Sequence, residues 1–491
     1  MTPHPVTEPQ SSLFKNSITY GLGAILTKTV GFFLIPIYTR YLTVEEYGML
    51  ALLNVILLLI SFIFLLGVSS ASMRFYFDLN ADEIYRGKIY GNATILLVIF
   101  PLALFIIFTP LIYVLITLFL PSIPFFPYVL VILMIGLFSP IEALMLGLLR
   151  VKKRALTFVQ YNISLFILQM IVGIVAVAWL KFGLKGLLYA QLFTNMVFWV
   201  IAIAILKGDS KIYFSWSMTK KLLFYGIPLI PFFIFTWINT ASGRFMLERY
   251  SSLKDVGIFA LATQFSGILA VFSGAFDNVL TPYFYETAQN SNGSEIIGKF
   301  ITKYVAIFGL IALCVLVFSQ PMILIMAAPK FHNAISYIPS LLFVGFLSLN
   351  YKLFYFSLMY SRRTGVISSI TGVFALLMVG LLFLFLKNWH MGIEGVIYVM
   401  IFVEIGKIIF GYFISQRHFK IKYEVKQLCM VLLIIATSAF LINIVSIENI
   451  TVTNLFVKLA ILVLGVMITL RITKVGSIKK LISLKSLNPS G

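Results

Sequence analysis

Arg40-Tyr41-Leu42-Thr43-Val44-Glu45-Glu46-Tyr47-Gly48-Met49-Leu50-Ala51-Leu52 returns 209 positions later as Arg249-Tyr250-Ser251-Ser252-Leu253-Lys254-Asp255-Val256-Gly257-Ile258-Phe259-Ala260-Leu261. Arg, Tyr, Gly, Ala and Leu recur in register, and Thr/Ser and Glu/Asp are close exchanges. The same offset relates Ser72-Met73-Arg74-Phe75-Tyr76 to Thr281-Pro282-Tyr283-Phe284-Tyr285, and Gly183-Leu184-Lys185-Gly186 to Gly392-Ile393-Glu394-Gly395. Lys152-Lys153 meets Arg362-Arg363 one residue out of step. A repeat kept over most of an apolar chain predicts a duplicated membrane bundle with its substrate site between the two halves.

Working outward from the repeat, composition sets the class. The chain is 60% hydrophobic and only 11% charged, against roughly 25% charge in a soluble domain. Long charge-free windows, among them 47–73, 155–180, 222–243, 304–329 and 427–447, each reach the length of about 20 residues that crosses a bilayer as helix. With the lightly charged stretches 16–39, 393–414 and 449–470, they predict an all-α polytopic membrane protein of about 14 transmembrane helices. Six helices fall in each repeat, as a parallel internal repeat, and two are appended. The expected division is a cytoplasmic lead 1–13, an N-terminal lobe 14–208, a basic connector 209–221, a C-terminal lobe 222–418, and 419–491 with the last two helices and a basic tail. The first apolar stretch reads as a signal anchor, being too long and lacking the small-residue cleavage site of a removed signal peptide.

The net charge of +20 does not point to nucleic acid, because of where it lies. With a cytoplasmic N-terminus, the cytoplasmic segments carry 25 of the 37 Lys and Arg and the opposite loops 8. That asymmetry is the positive-inside signature, and it predicts both termini on the cytoplasmic side. The basic tail is also placed to lean on anionic headgroups. Cys314 and Cys429 both fall in apolar spans, and the four histidines have no ligand-spaced partners, so neither a disulfide framework nor a metal centre is expected.

At Pro36-Ile37-Tyr38-Thr39-Arg40-Tyr41-Leu42-Thr43-Val44-Glu45-Glu46-Tyr47-Gly48 the chain resembles the Wzx-type polysaccharide flippases of the MOP exporter superfamily, which also holds the peptidoglycan-precursor flippase and the MATE drug exporters. The lead Leu13-Phe14-Lys15-Asn16-Ser17, the run Arg74-Phe75-Tyr76 and the twelve-plus-two plan are similar too. The resemblance implies that an undecaprenyl-pyrophosphate-linked oligosaccharide is flipped from the cytoplasmic to the outer leaflet by alternating access, in surface polysaccharide (O-antigen-like) biosynthesis. It also implies a bacterial inner-membrane location, a polysaccharide polymerase and ligase as partners alongside membrane lipids, and no cofactor beyond proton or sodium coupling.

Such a substrate carries charge through a region where bare charge costs several kcal/mol, so cations within spans are the candidates for its pyrophosphate and sugars. Lys28 stands mid-span in the first helix, Arg244 near the outer end of the seventh span, Arg74 where the second span reaches the cytoplasmic face, and Lys352 about two turns from the cytoplasmic end of the tenth. An ion pair for Lys28, and snorkelling or anchoring for the other three, are the structural alternatives. Glu142, Asp277 (read as closing the eighth span) and Glu404 are candidates for ion coupling or as counter-ions. Glu404 and Lys407 are three apart and can neutralise each other on one helix face. Pro228 and Pro231 predict a kink in the seventh span.

Other classes fit less well. A cation-exporting MATE-like antiporter favours acidic cavity groups, against the mid-span Lys28. A membrane glycosyltransferase or polymerase needs a large water-facing loop and a clustered acid/base or metal constellation, and the chain shows neither. Transport, not catalysis, is the expectation.

Overall fold

A computed structural model describes residues 32–78, 82–361, 363–447 and 452–473. Among these the chain is helical and has no strand. In order the helices are α1 (Ile35–Tyr41), α2 (Val44–Leu65), α3 (Val68–Tyr76), α4 (Glu83–Phe119), α5 (Leu130–Val151), α6 (Ala155–Ile174), α7 (Gly183–Asp209) and α8 (Trp216–Gly226). They continue as α9 (Ile230–Tyr250), α10 (Leu253–Ala288), α11 (Gly293–Met326), α12 (Ile338–Tyr360), α13 (Thr364–Phe383), α14 (Gly392–His418), α15 (Val425–Ile447) and α16 (Val452–Thr473). Thirteen helical stretches are long and apolar enough to cross a membrane, and they match the second to fourteenth spans read from the sequence. Most of the first span, with Lys28, lies outside the described residues.

The chain forms two compact units. The first takes the described residues up to Ala260 together with Thr371–Val399; the second takes Leu261–Ile370 and those from Met400 on. This division by packing differs from the six-span halves of the sequence.

In the first unit, the quoted segment and its counterpart do the same local work. The Thr43 hydroxyl accepts from the Glu46 amide at 3.1 Å while the Thr43 amide donates to Glu46 Oε2 at 2.9 Å, a capping box that starts α2. At the start of α10 the Ser252 hydroxyl accepts from the Asp255 amide at 3.1 Å and donates to its carboxylate at 2.9 Å. Next comes the shared glycine. A Cβ on Gly48 would stand 2.2 Å from the Leu253 carbonyl oxygen, and a Cβ on Gly257 would stand 2.2 Å from that of Val44. The two contacts are reciprocal: each glycine lets the first turn of the other helix lie directly on its own backbone.

A further pair of turns matches as closely. Val175–Trp179 and Leu384–Asn388 are both π-helical, and each is followed by a left-handed non-glycine (Lys181, φ 55°; His390, φ 52°) and a left-handed glycine (Gly183, φ 55°; Gly392, φ 57°).

Two breaks shape the same unit. The seventh span bends as the prolines predict, through a 3₁₀ turn at Ile227–Leu229 between α8 and α9. The second span, read as one uninterrupted apolar window, is divided at Leu66 and Gly67, both left-handed (φ 50° and 66°). The breaks meet: a Cβ on Gly67 would lie 2.6 Å from the Gly226 oxygen, and one on Gly226 would lie 2.2 Å from the Leu66 oxygen. Close backbone approach through small residues drives helix association where lipid removes the hydrophobic contrast.

After α7 the chain runs extended over the start of α4. The Lys211 amide donates to the Gly87 oxygen at 3.2 Å, and buried Asn92 holds both the Ser215 amide (2.7 Å) and the Thr219 hydroxyl (2.9 Å). Tyr90, Leu97, Leu144 and Leu148 fill the core beside it. Ile99, Leu102, Ile106, Ile107, Leu118 and Phe119 stand exposed along α4, a face that only an apolar solvent tolerates.

In the second unit α11 packs on α15 and α16, with Gly309 seated against Ile435. There the stretch after α14 crosses the start of α11: the Lys422 amide donates to the Ser294 hydroxyl at 3.0 Å, which donates to the Lys420 oxygen at 2.7 Å.

Candidate functional site

Helix α9 carries a run of polar side chains within the first unit: Trp237, Asn239, Thr240, Ser242, Arg244 and Glu248. Most of its hydroxyls are satisfied within the helix, Thr236 by the Phe232 oxygen (2.8 Å), Thr240 by that of Thr236 (3.0 Å) and Ser242 by that of Ile238 (2.7 Å). Such back-bonding lets hydroxyls stand in an apolar helix without leaving a donor bare. Thr236 and Thr240, one turn apart, form an exposed polar strip.

The other α9 groups fix its neighbours. Trp237 Nε1 donates to the Val55 oxygen of α2 at 2.7 Å, and Phe233 stacks on Phe62 at 4.9 Å. Asn239 Nδ2 donates to the Phe235 oxygen at 2.9 Å and reaches that of Thr371 at 3.4 Å. Arg244 lies half-buried on α9. It stands six residues before the end of α9, within a span rather than at its tip.

Glu248, one turn further along, was not picked out by the sequence reading. It is 5% exposed, and its Oε1 accepts from the Ser122 amide at 3.2 Å, tying α9 to the turn before α5. A carboxylate beside Arg249 reads as surface charge in a sequence; only the returning 120–124 turn buries it.

Glu142 lies half-buried on α5, two residues past Pro140, and takes part in no ion pair among the described residues. On the neighbouring α6 the Tyr161 hydroxyl donates to the Phe198 oxygen at 3.1 Å. Arg74 is placed otherwise: it ends α3, is largely exposed, and pairs with Asp78 at 2.9 Å.

In the second unit, Lys352 Nζ on α12 donates to the buried Ser273 hydroxyl on α10 at 3.3 Å. The Glu404–Lys407 pairing read from spacing is present at 2.8 Å, with both side chains nearly excluded from solvent and Lys407 over the Tyr351 ring at 5.9 Å. Lys458 of α16 is a further buried cation, 4% exposed, whose Nζ donates to Gln320 Oε1 at 2.6 Å. The apolar stretch of α10 covers Leu253–Gly274, and the helix itself continues past Asp277 to Ala288.

The arrangement keeps cations inside apolar helices on neutral or aromatic neighbours as well as on carboxylates. Lys352 reaches a hydroxyl and Lys458 an amide, while Lys407 has a carboxylate.

Comparison with known proteins is consistent with this fold. Over residues 13–288 the chain matches the family model described as polysaccharide biosynthesis protein. A Lsg locus protein of Haemophilus influenzae is 22% identical over 288 residues, 56% of this chain and 67% of that protein. The lipid II flippase MurJ, in an inward closed conformation, is similar in structure with a TM-score of 0.72 at 15% identity, covering 95% of this chain and 100% of MurJ. An inward-facing multidrug resistance MATE family transporter of the MOP superfamily gives 0.60 at 15% identity over 82% of this chain and 95% of its own. The bundle is thus the one MurJ and the MATE transporters share, and a family model spanning more than half of its length makes the chain a member of the polysaccharide biosynthesis protein family.

Proposed function

We propose that the protein flips a polyprenyl-pyrophosphate-linked oligosaccharide from the cytoplasmic to the outer leaflet by alternating access, supplying surface polysaccharide biosynthesis. Membership of the polysaccharide biosynthesis family carries the reading, and the fold shared with a lipid II flippase supports it. In this reading the chain is a six-plus-six helix transporter with two appended helices, in the bacterial cytoplasmic membrane with both termini inside, and passes its product to a polymerase and ligase. Lys28, Arg244 and Lys352 are the groups proposed for the pyrophosphate and sugars, and Glu142 and Asp277 those for proton or sodium coupling. Arg74, exposed and paired with Asp78, is better suited to anchoring at the membrane surface.

A MATE-like multidrug exporter is the second reading, favoured by the shared bundle. Deleting the gene separates the two. Loss of surface polymer, with complete lipid-linked repeat units retained on the inner leaflet, is the expected result, and Arg244→Ala is expected to fail to restore export while inserting normally. Unchanged polymer with altered drug sensitivity would transfer the protein to the exporter reading.

A further inference from the structure

Arg86 opens α4 at the end of the first unit where the loops joining α5 to α6 and α7 to α8 also lie. Most cations there are accounted for. Lys152 and Arg154 hold Asp209 at 2.5 and 2.6 Å, Arg74 holds Asp78, Lys88 lies over the Tyr213 ring at 5.0 Å and Lys220 over Trp216 at 5.8 Å. Among the described residues Arg86 forms no ion pair with a carboxylate. Its guanidinium lies over the Tyr76 ring at 4.7 Å, and its Nε is buried with no hydrogen-bond partner.

Two more orphaned groups stand on α3 and α4, the two helices that carry Tyr76 and Arg86. Tyr76 of α3 packs edge-on to Tyr90 of α4, ring centroids 6.2 Å apart. Tyr90 is 1% exposed and its hydroxyl has no partner. Ser72, one turn before Tyr76 on α3, is fully buried, and its hydroxyl too is unpartnered. A serine in a helix ordinarily bonds the carbonyl four residues back; this one does not. Buried polar groups left unpaired lose their hydration without a replacement bond. Three donors on two packed helices, one of them a cation, lack an acceptor among the described residues, and the Tyr76 ring touches both Arg86 and Tyr90. Neighbouring Asn92, with every partner in place, shows that this helix end satisfies its polar groups where the fold provides for them.

We propose that Ser72, Arg86 and Tyr90 form a binding site for the phosphate of a lipid headgroup. Arg86 supplies charge and an Nε donor, the two hydroxyls donate to further phosphate oxygens, and the Tyr76 ring holds the guanidinium in place. Arg86 and Tyr76 keep partial exposure, which gives the headgroup its way in, and phosphates lie at the depth where a span meets water. The phosphate has two sources, an anionic phospholipid or a polyprenyl pyrophosphate. The site does not depend on flipping, since it is read by binding alone.

The test uses the full-length protein purified in maltoside detergent, titrated separately with phosphatidylglycerol and with undecaprenyl pyrophosphate. Affinity and the lipid-induced rise in melting temperature are both recorded. At least one lipid is expected to stabilise the protein. Arg86→Gln is expected to weaken that lipid about tenfold, the loss of one charge-assisted contact, and Tyr90→Phe several-fold. Lys88→Gln, which removes an equal charge two residues away, is expected to bind as wild type. Without lipid, Tyr90→Phe should melt no lower than wild type, because it deletes an unsatisfied hydroxyl and nothing else; a fold defect is thereby separated from a binding defect. Binding by phosphatidylglycerol alone assigns the site to bulk lipid, and binding by undecaprenyl pyrophosphate alone assigns it to the lipid carrier. Unchanged affinities in Arg86→Gln and Tyr90→Phe, or no stabilisation by either lipid, would overturn the site.

Discussion

At the scale of single residues, the Glu404–Lys407 pair shows what a buried charge requires in this bundle. Both side chains are almost wholly excluded from solvent at 2.8 Å, so neither can be removed without stranding the other. Truncating one partner of a buried pair costs about 3–5 kcal/mol, whereas replacing both with apolar groups of similar volume is often neutral. Glu404→Leu is therefore expected to lower the melting temperature of the purified protein sharply, and Glu404→Leu/Lys407→Met to recover most of the loss. Equal melting of the single and double variants would show that the pair is not coupled. This pair was legible in the sequence because three residues on a helix define a face. The partners of Lys352 and Lys458 were not, since Ser273 and Gln320 stand 79 and 138 residues away in the chain. Glu248 was missed for the same reason: its burial comes from a turn that no local pattern reports.

At the scale of helices, apolar length located thirteen spans, because a window of about 20 uncharged residues has few other uses. The break in the second span was hidden inside such a window; the break in the seventh was announced by Pro228. The difference is physical. Proline carries its geometric demand in its own ring, whereas Gly67 breaks its helix by what it meets, the backbone of Gly226. The thirteen-residue segment that opened the reading owes its shape to the same chemistry, a hydroxyl and an acid to cap each helix and a glycine for the crossing. Gly48→Ala and Gly257→Ala are each expected to destabilise by about 1–3 kcal/mol, the cost of overpacking, since either methyl would meet a carbonyl oxygen at 2.2 Å. Gly208→Ala, where nothing lies within 4 Å, is expected to be neutral or to gain up to about 1 kcal/mol of helix propensity. Because both glycines serve one crossing, the double variant should cost less than the sum of the two. Thermal unfolding of the four proteins decides the matter, and strict additivity would mean the two contacts act separately.

At the scale of the whole molecule, loop charge predicts an orientation that packing does not carry. The turn at Lys152-Lys153-Arg154 and the segment with Lys211, Lys220 and Lys221 are basic, while the opposite turns at Leu42-Thr43 and at 120–124 carry no Lys or Arg, and the turn at 180–182 carries a single lysine. Moving many Lys and Arg across a bilayer during insertion is unfavourable, and short loops obey this rule most strictly. The basic loops should accordingly face the cytoplasm. Lys153 and Lys181 are exposed and occupy opposite kinds of turn, which makes them matched reporters. In a background with Cys314 and Cys429 replaced by serine, Lys181→Cys in intact cells is expected to react with a membrane-impermeant maleimide. Lys153→Cys should react only after the cells are opened. The reverse pattern would invert every side assignment in the proposed function, including the leaflet from which substrate is taken, because the loop charges and the direction of flipping are fixed by the same orientation.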